Sequence, residues 1–396
     1  MAIPIVSFLS RDDSVRVIKQ VRRSEPEPRT PTMGISGDNL HRSKRYKSLD
    51  ILRGCAILSM IQAHLFLLSN TIGPMNDLAT LLMPRFFFVM VAGTSFDLLV
   101  SSRKRNMDSS FDIRLEIFLR GGVLLSIDLL MLFIGSIVWP SLYSFGLYWG
   151  VFEAIAVGYL LGIVLPRSLL SKMSSIVFLL TAILLLDTSS SSALLADSLK
   201  NLLPMLLFFQ LGRVMHDLYY NGKDSTFSLL RRGRLIVPTV FFFLGYMVAG
   251  YYHLGLSNPE WIVNDSNEPP SLMIVFGNIF LLYHIFAEIA DRHDIKNRLL
   301  HIVERIGRIS LSIFFIHIAI IYLVRLTFAA LGLGEVLPFA SPLLNLVTLA
   351  FFILIFYSLE KWWSARQYRY SFEWILRTVP NYVMKILTKR ATLGQD

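Results

Sequence analysis

Leu49-Asp-Ile-Leu-Arg53-Gly-Cys-Ala-Ile-Leu-Ser-Met-Ile-Gln-Ala-His64 opens the first long apolar segment of the chain and carries Arg53 and His64 inside it. Ten residues separate the two. On an α-helix, at about 100° per residue, they lie only about 20° apart in azimuth and roughly 16 Å apart along the axis. In a membrane with a hydrocarbon core of ~30 Å, Arg53 then sits at one interface and His64 near the midplane. An ionisable group at that depth is costly and marks a functional site by default. A snorkelling arginine and a packing histidine would be the bland alternative. Two such groups in register on one face favour a shared task.

The rest of the composition agrees with a membrane setting. Of 396 residues, 54% are hydrophobic and 17% charged, whereas a soluble protein carries about 25% charge. The expected class is all-α: a polytopic integral membrane helix bundle of about ten transmembrane helices, because isolated strands cannot satisfy their backbone in lipid. The net charge of +10 comes mostly from Lys and Arg between apolar spans, which is a topological signal, and no nucleic-acid partner is expected. The single cysteine, Cys55, excludes an intrachain disulfide and a multi-cysteine metal site. Met1–Leu9 is too short an apolar run for a signal peptide.

Three regions follow. Residues 1–47 are a basic tail, rich in charge, Pro and Ser and expected to be mostly disordered; residues 48–360 are the transmembrane domain; residues 361–396 are an amphipathic tail expected on the cytoplasmic membrane surface. Ten apolar spans are read near Ile51–Ser69, Leu81–Ser101, Ile117–Trp139, Phe145–Leu165, Ser174–Leu186, Leu199–Leu218, Leu235–Leu254, Leu272–Ala290, Ile309–Ala329 and Leu343–Tyr357. Basic residues cluster in alternate connections: Arg103, Lys104 and Arg105; Arg167 and Lys172; Arg231, Arg232 and Arg234; Arg298, Arg305 and Arg308. The intervening connections are nearly bare or acidic. The positive-inside rule then predicts a multi-pass protein, of the cell membrane by expectation, with both termini cytoplasmic.

With that orientation, depth can be compared between spans. Asp128 lies about 12 Å from the Arg120 end of the third span, and Glu153 ~12 Å from the outer end of the fourth. Both could meet His64 in one layer, where a carboxylate would fix the imidazole tautomer and leave its other nitrogen basic. His284 and His317 are placed nearer the cytoplasmic side. Asp97 and Arg85 lie near opposite ends of the second span, and Arg325 near the outer end of the ninth. Arg85 and His317 are assigned to substrate binding. No His pair has i,i+3 or i,i+4 spacing within a span, so no metal is expected.

The first span, Tyr46-Lys-Ser-Leu-Asp-Ile-Leu-Arg-Gly-Cys-Ala followed by His64, resembles the opening of the membrane acyltransferase superfamily, which includes acyltransferase family three and the heparan-alpha-glucosaminide N-acetyltransferase catalytic domain. Looser matches are Phe86-Phe-Phe-Val-Met-Val-Ala-Gly93 with Ser95, Trp149-Gly-Val-Phe-Glu-Ala-Ile-Ala, and the late element Gly307-Arg-Ile-Ser-Leu-Ser-Ile-Phe-Phe-Ile-His317. Phe372-Glu-Trp-Ile-Leu-Arg377 is similar to the end of a related bacterial branch. The resemblance runs from Arg45 to Arg377. It implies acyl transfer from cytoplasmic acyl-CoA to an acceptor facing the other side, with His64 catalytic and Arg53 supporting the donor. Two departures matter. Glu153-Ala154 stands where glucosaminide acetyltransferases usually have Gln-Arg, so their acceptor specificity does not carry over. Phe314 replaces the tyrosine of the late element and removes its hydroxyl.

Together these readings predict a membrane-bound acyltransferase, an O- or N-acetyltransferase in type. Acetyl-CoA or another acyl-CoA is the co-substrate and needs no metal. The acceptor is a hydroxyl or amine of a glycan or lipid-linked molecule on the opposite face. His64, Asp128 and Glu153 are the expected catalytic residues and Arg53 the expected acyl-CoA contact. Membrane lipids are partners, and a homo-oligomer is allowed. The alternative is a proton-coupled membrane transporter that uses the same His/Asp/Glu cluster as a relay.

Overall fold

The computed structural model describes residues 46–69, 84–105, 109–138, 150–165, 167–187, 194–220, 240, 244, 269–292, 297–331 and 342–393. Residues 1–45 of the N-terminal tail, and the seventh span, Leu235–Leu254, apart from residues 240 and 244, lie outside them. Among the described residues every regular element is helical. In chain order the helices are α1 (Lys47–Ser69), α2 (Pro84–Arg105), α3 (Ser110–Val138), α4 (Val151–Val164), α5 (Leu169–Asp187), α6 (Leu194–Tyr219), α7 (Pro269–Arg292), α8 (Arg298–Arg308), α9 (Ser310–Ala330), α10 (Pro342–Ala365) and α11 (Phe372–Leu393). The expected all-α membrane bundle is what forms. Among the described residues, four helices are long and apolar enough to cross a membrane, α2, α3, α5 and α10, and the apolar parts of α4, α7 and α9 are shorter.

Burial sorts the helices into inner and outer. In α2 the rings of Phe86, Phe87 and Phe96 are fully buried. In α3, α5 and α10 large apolar side chains such as Phe118, Leu130, Phe178, Leu185, Phe351 and Leu354 are exposed. That is the surface a helix presents to hydrocarbon, where burying apolar side chains against protein gains little over leaving them in lipid.

Two inner contacts are made by glycine. A Cβ on Gly54 would collide with the Val303 carbonyl, and one on Gly307 with the Asp50 carbonyl, so α1 and α8 touch backbone to backbone. Gly93 against the Phe209 carbonyl and Gly212 against the Met90 carbonyl do the same for α2 and α6. Small residues permit this approach, and dispersion between the backbones holds it.

The structure departs from the sequence reading in two places. The basic stretch before the ninth span is a packed helix, α8, with Glu304, Ile306 and Gly307 buried. Asn297 caps it by accepting from the Leu299 N–H, and the chain breaks helix at Ile309 before α9. Arg305 ties α8 to Glu360 of α10 and lies over the Tyr357 ring at 5.1 Å. The C-terminal segment is likewise more than a surface tail. α10 continues to Ala365 with Trp363 buried, past the boundary expected at residue 360. After a turn that puts Gln367, Tyr368 and Tyr370 at positive φ, α11 docks its first turn on α9. Phe372 packs against Phe315 at 4.4 Å. The Glu373 carboxylate accepts from the backbone N–H groups of Leu311 (2.8 Å) and Ser312 (3.1 Å) and from the Ser312 hydroxyl (2.5 Å). The two N–H groups are donors that the first turn of any helix leaves unsatisfied, and a carboxylate there also suits the helix dipole.

Candidate functional site

The site is built where α1, α2 and α9 meet. His64 Nδ1 lies 2.9 Å from His317 Nε2, with the rings nearly coplanar at 13°. His317 is fully buried, and its Nδ1 lies 3.0 Å from the Ile313 carbonyl oxygen. A carbonyl only accepts, so His317 Nδ1 carries the hydrogen. In the neutral imidazole its Nε2 is then a bare acceptor, and His64 Nδ1 must donate to it. His64 is left with a lone pair on Nε2, and its ring is only partly buried. The chain of donors therefore fixes one tautomer of His64 and turns its basic nitrogen away from the bundle's own hydrogen bonds.

The sequence assigned the orienting role to a carboxylate. The structure puts His317 at that nitrogen instead. Counting depth from a span edge places His317 nearer the cytoplasmic side, but α9 begins only after the packed helix α8 and the break at Ile309. Gly307 packs on the Asp50 carbonyl of α1, so both helices are pinned at one level just before α9 begins. His317 and His64 then lie ten and fourteen residues further along the chain.

Arg53 is held on the face that carries His64. Its Nη1 donates to Asp50 Oδ1 at 3.1 Å and its Nη2 to Ser95 Oγ at 2.6 Å. Ser95 in turn donates to the Val91 carbonyl. The guanidinium is clamped yet 30% exposed, the state of a group that can still meet a ligand. The neighbouring Thr94 donates to the Gly212 carbonyl (2.8 Å) and accepts from the Tyr283 hydroxyl (2.9 Å), which locks α2 against α6 and α7.

Asp128 and Glu153 are brought together across α3 and α4, within reach of each other and beside Gly150. Neither hydrogen-bonds His64. Phe152, next to Glu153 in the chain, lies 4.4 Å from Phe314, and Phe314 lies 5.5 Å from His317. Arg85 is in the first turn of α2 with its guanidinium 4.7 Å from the Phe86 ring centre. His284 Nδ1 meets the Tyr219 hydroxyl at 3.2 Å. The Arg325 side chain lies outside the described residues.

A second buried cluster was not anticipated. Lys172 Nζ lies 2.6 Å from both Asp97 Oδ2 and Asp217 Oδ2, Arg213 Nε lies 3.3 Å from Asp97 Oδ1, and His216 Nδ1 lies 3.1 Å from Asp217 Oδ1. The ligand atoms of Asp97, His216 and Asp217 lie within 4.8 Å of one another, and the Lys172 ammonium supplies the positive charge among them. Two carboxylates meet Lys172, Arg213 and His216 there, which suits a lock between α2, α5 and α6. In the sequence, Lys172 counts only as an interfacial charge, because its distance from Asp97 and Asp217 along the chain hides the match.

Among curated proteins, none matches the chain. The acyltransferase domain of acyltransferase family 3 matches residues 46–361, which include both histidines, Arg53 with its clamp, and the two acids, so the chain belongs to that family and is a membrane acyltransferase.

Proposed function

We propose that the protein moves an acyl group, acetyl first among candidates, from cytoplasmic acyl-CoA to a hydroxyl or amine of a glycan or lipid-linked acceptor on the opposite membrane face. The observation that carries this reading is the donor chain Ile313 carbonyl, His317, His64, which leaves His64 Nε2 as a base. In the proposed step Nε2 takes the acceptor's proton as the acceptor oxygen or nitrogen attacks the thioester carbonyl. The tetrahedral centre then collapses, the carbon–sulfur bond breaks, and the proton on Nε2 passes to the leaving thiolate. No net proton is gained or lost. Arg53, clamped but accessible, would hold a phosphate of the donor through a charge-assisted pair. The proposed orientation, with both termini cytoplasmic in a multi-pass fold, puts Arg53 on the donor side and His64 deeper, where donor and acceptor can meet.

In this reading His317 is a positioning residue. Replacing it with alanine leaves His64 free to adopt the other tautomer. The expected result for His317→Ala in purified protein is a fall in kcat of about 10²-fold, within the range of general acid–base effects. The pH–rate profile should shift, with acyl-CoA affinity unchanged. An unaltered pH profile alongside weaker acyl-CoA binding would assign His317 to the donor pocket instead.

A further inference from the structure

The bundle uses one face of α11 and leaves the other open. On the inner face Glu373 caps α9, Leu376 packs against the core and Pro380 is buried. On the outer face Ile375, Val379, Tyr382 and Ile386 recur every three or four residues, the spacing of a single apolar stripe. Tyr382 is 66% exposed, and Val379 and Ile386 are 38% exposed each. Lys385, also exposed, lies three residues after Tyr382, and Lys389 and Arg390 follow Ile386 at three and four. Residues at those spacings are neighbours on a helix surface, so bases border the stripe. Glu373 is the only acid in the helix, and the cap on α9 occupies it.

The position of the helix says what meets this face. α11 starts at the Arg53 end of the bundle, because it caps the helix that follows Gly307, and Gly307 packs on Asp50. It has 22 residues, enough for a span, yet it is not among the helices apolar enough to cross a membrane. A basic amphipathic helix fixed at the end of a membrane bundle belongs where headgroups meet acyl chains. Its affinity there combines apolar area with attraction to anionic lipid. A stripe of four side chains is a small apolar area, so charge decides which lipid it prefers. We infer that the outer face of α11 is a docking surface for anionic phospholipid headgroups, with Tyr382 and Ile386 at the headgroup–acyl boundary and Lys385 and the bases that follow it on the phosphates. Through Glu373 this surface is tied to the first turn of α9, the helix that carries His317. Docking can be observed without acyl-CoA or turnover.

The test uses the full-length protein in nanodiscs of phosphatidylcholine alone or of equal parts phosphatidylcholine and phosphatidylglycerol. A solvent-sensitive dye is attached to Val379→Cys or Tyr382→Cys in a Cys55→Ala background. Asn381→Cys, about 200° from Val379 around the helix, is the control. Emission from positions 379 and 382 should move to shorter wavelength in the anionic discs and return when salt is raised, because salt screens the surface charge. The control should not move. Lys385→Gln, Lys389→Gln and Arg390→Gln should each lower the ratio of docked to free label about fivefold, the weight of one base near an anionic surface. Unlabelled protein gives a second measurement without the cysteine changes. In native mass spectra it should retain phosphatidylglycerol over phosphatidylcholine, and the variant with all three bases replaced should lose part of that preference. Equal emission in the two discs, a shift as large at Asn381, or lipid retention unchanged in the triple variant would overturn the docking surface.

Discussion

At the scale of single residues, Arg53 and His64 share a helix face but have different supports. Arg53 is clamped by Asp50 and Ser95, and His64 is aimed by His317. Their defects should therefore separate. Arg53→Ala should raise the acyl-CoA dissociation constant by about tenfold or more, the size of a charge-assisted contact, and leave the rate at saturating donor nearly unchanged. Arg53→Lys should recover only part, because a point charge cannot reach Asp50, Ser95 and a phosphate with one planar fork. Isothermal titration with acyl-CoA on purified variants measures this, and an Arg53→Ala protein with wild-type affinity would remove Arg53 from the donor site. That Arg53 and His64 share one helix face was legible in the sequence from their spacing alone. The partner of His64 was not. A count of residues from each span's edge treats all spans as starting level, and it does not see that α9 follows directly on the packed helix α8.

At the scale of elements, the late Gly307–His317 segment and the C-terminal Phe372–Arg377 segment form one unit. Glu373 caps the first turn of α9 with three hydrogen bonds, and Ser312 Oγ accepts from the Phe372 N–H at 2.9 Å. The cap sits less than two turns from His317 on the same helix. Glu373→Ala strands buried donors and should destabilise the protein by about 1–3 kcal/mol. Glu373→Gln keeps one acceptor oxygen and should cost less. Thermal unfolding in detergent compares them, and equal stability of Glu373→Ala and wild type would make the cap incidental. The apolar period of α10 and the aromatic run of α11 show a helix and an amphipathic face in the sequence. They do not show that α11 ends on α9, because a cap made across sixty residues of chain has no local signature. The same blindness applied to α8. Its arginines satisfy the topology rule, and that signal masks the buried Ile306 and Gly307 on its other face.

At the scale of the whole molecule, lipid decides which parts of the fold can be read from sequence. Apolar spans had to be helices, and each of those that falls on described residues coincides with one. Lipid gives no comparable rule for which helices touch. Here the choice was made by glycine pairs, Gly54 with Gly307 and Gly93 with Gly212, and by polar groups that could not stay unpaired. Those contacts bring the first span and the late histidine element together, while the two acids meet each other across α3 and α4.

Single-turnover acyl transfer by His64→Ala tests the central claim most directly. Purified wild type and variant would be mixed with saturating radiolabelled acetyl-CoA and an extract of membrane lipids and glycans, and label appearing in acceptor would be followed with time. The expected result is a variant that binds acetyl-CoA with wild-type affinity and transfers at least about 10²-fold more slowly, since the base acts only as the acceptor's proton leaves. A His64→Ala protein that transfers label at near the wild-type rate would contradict the assignment of His64 as the base.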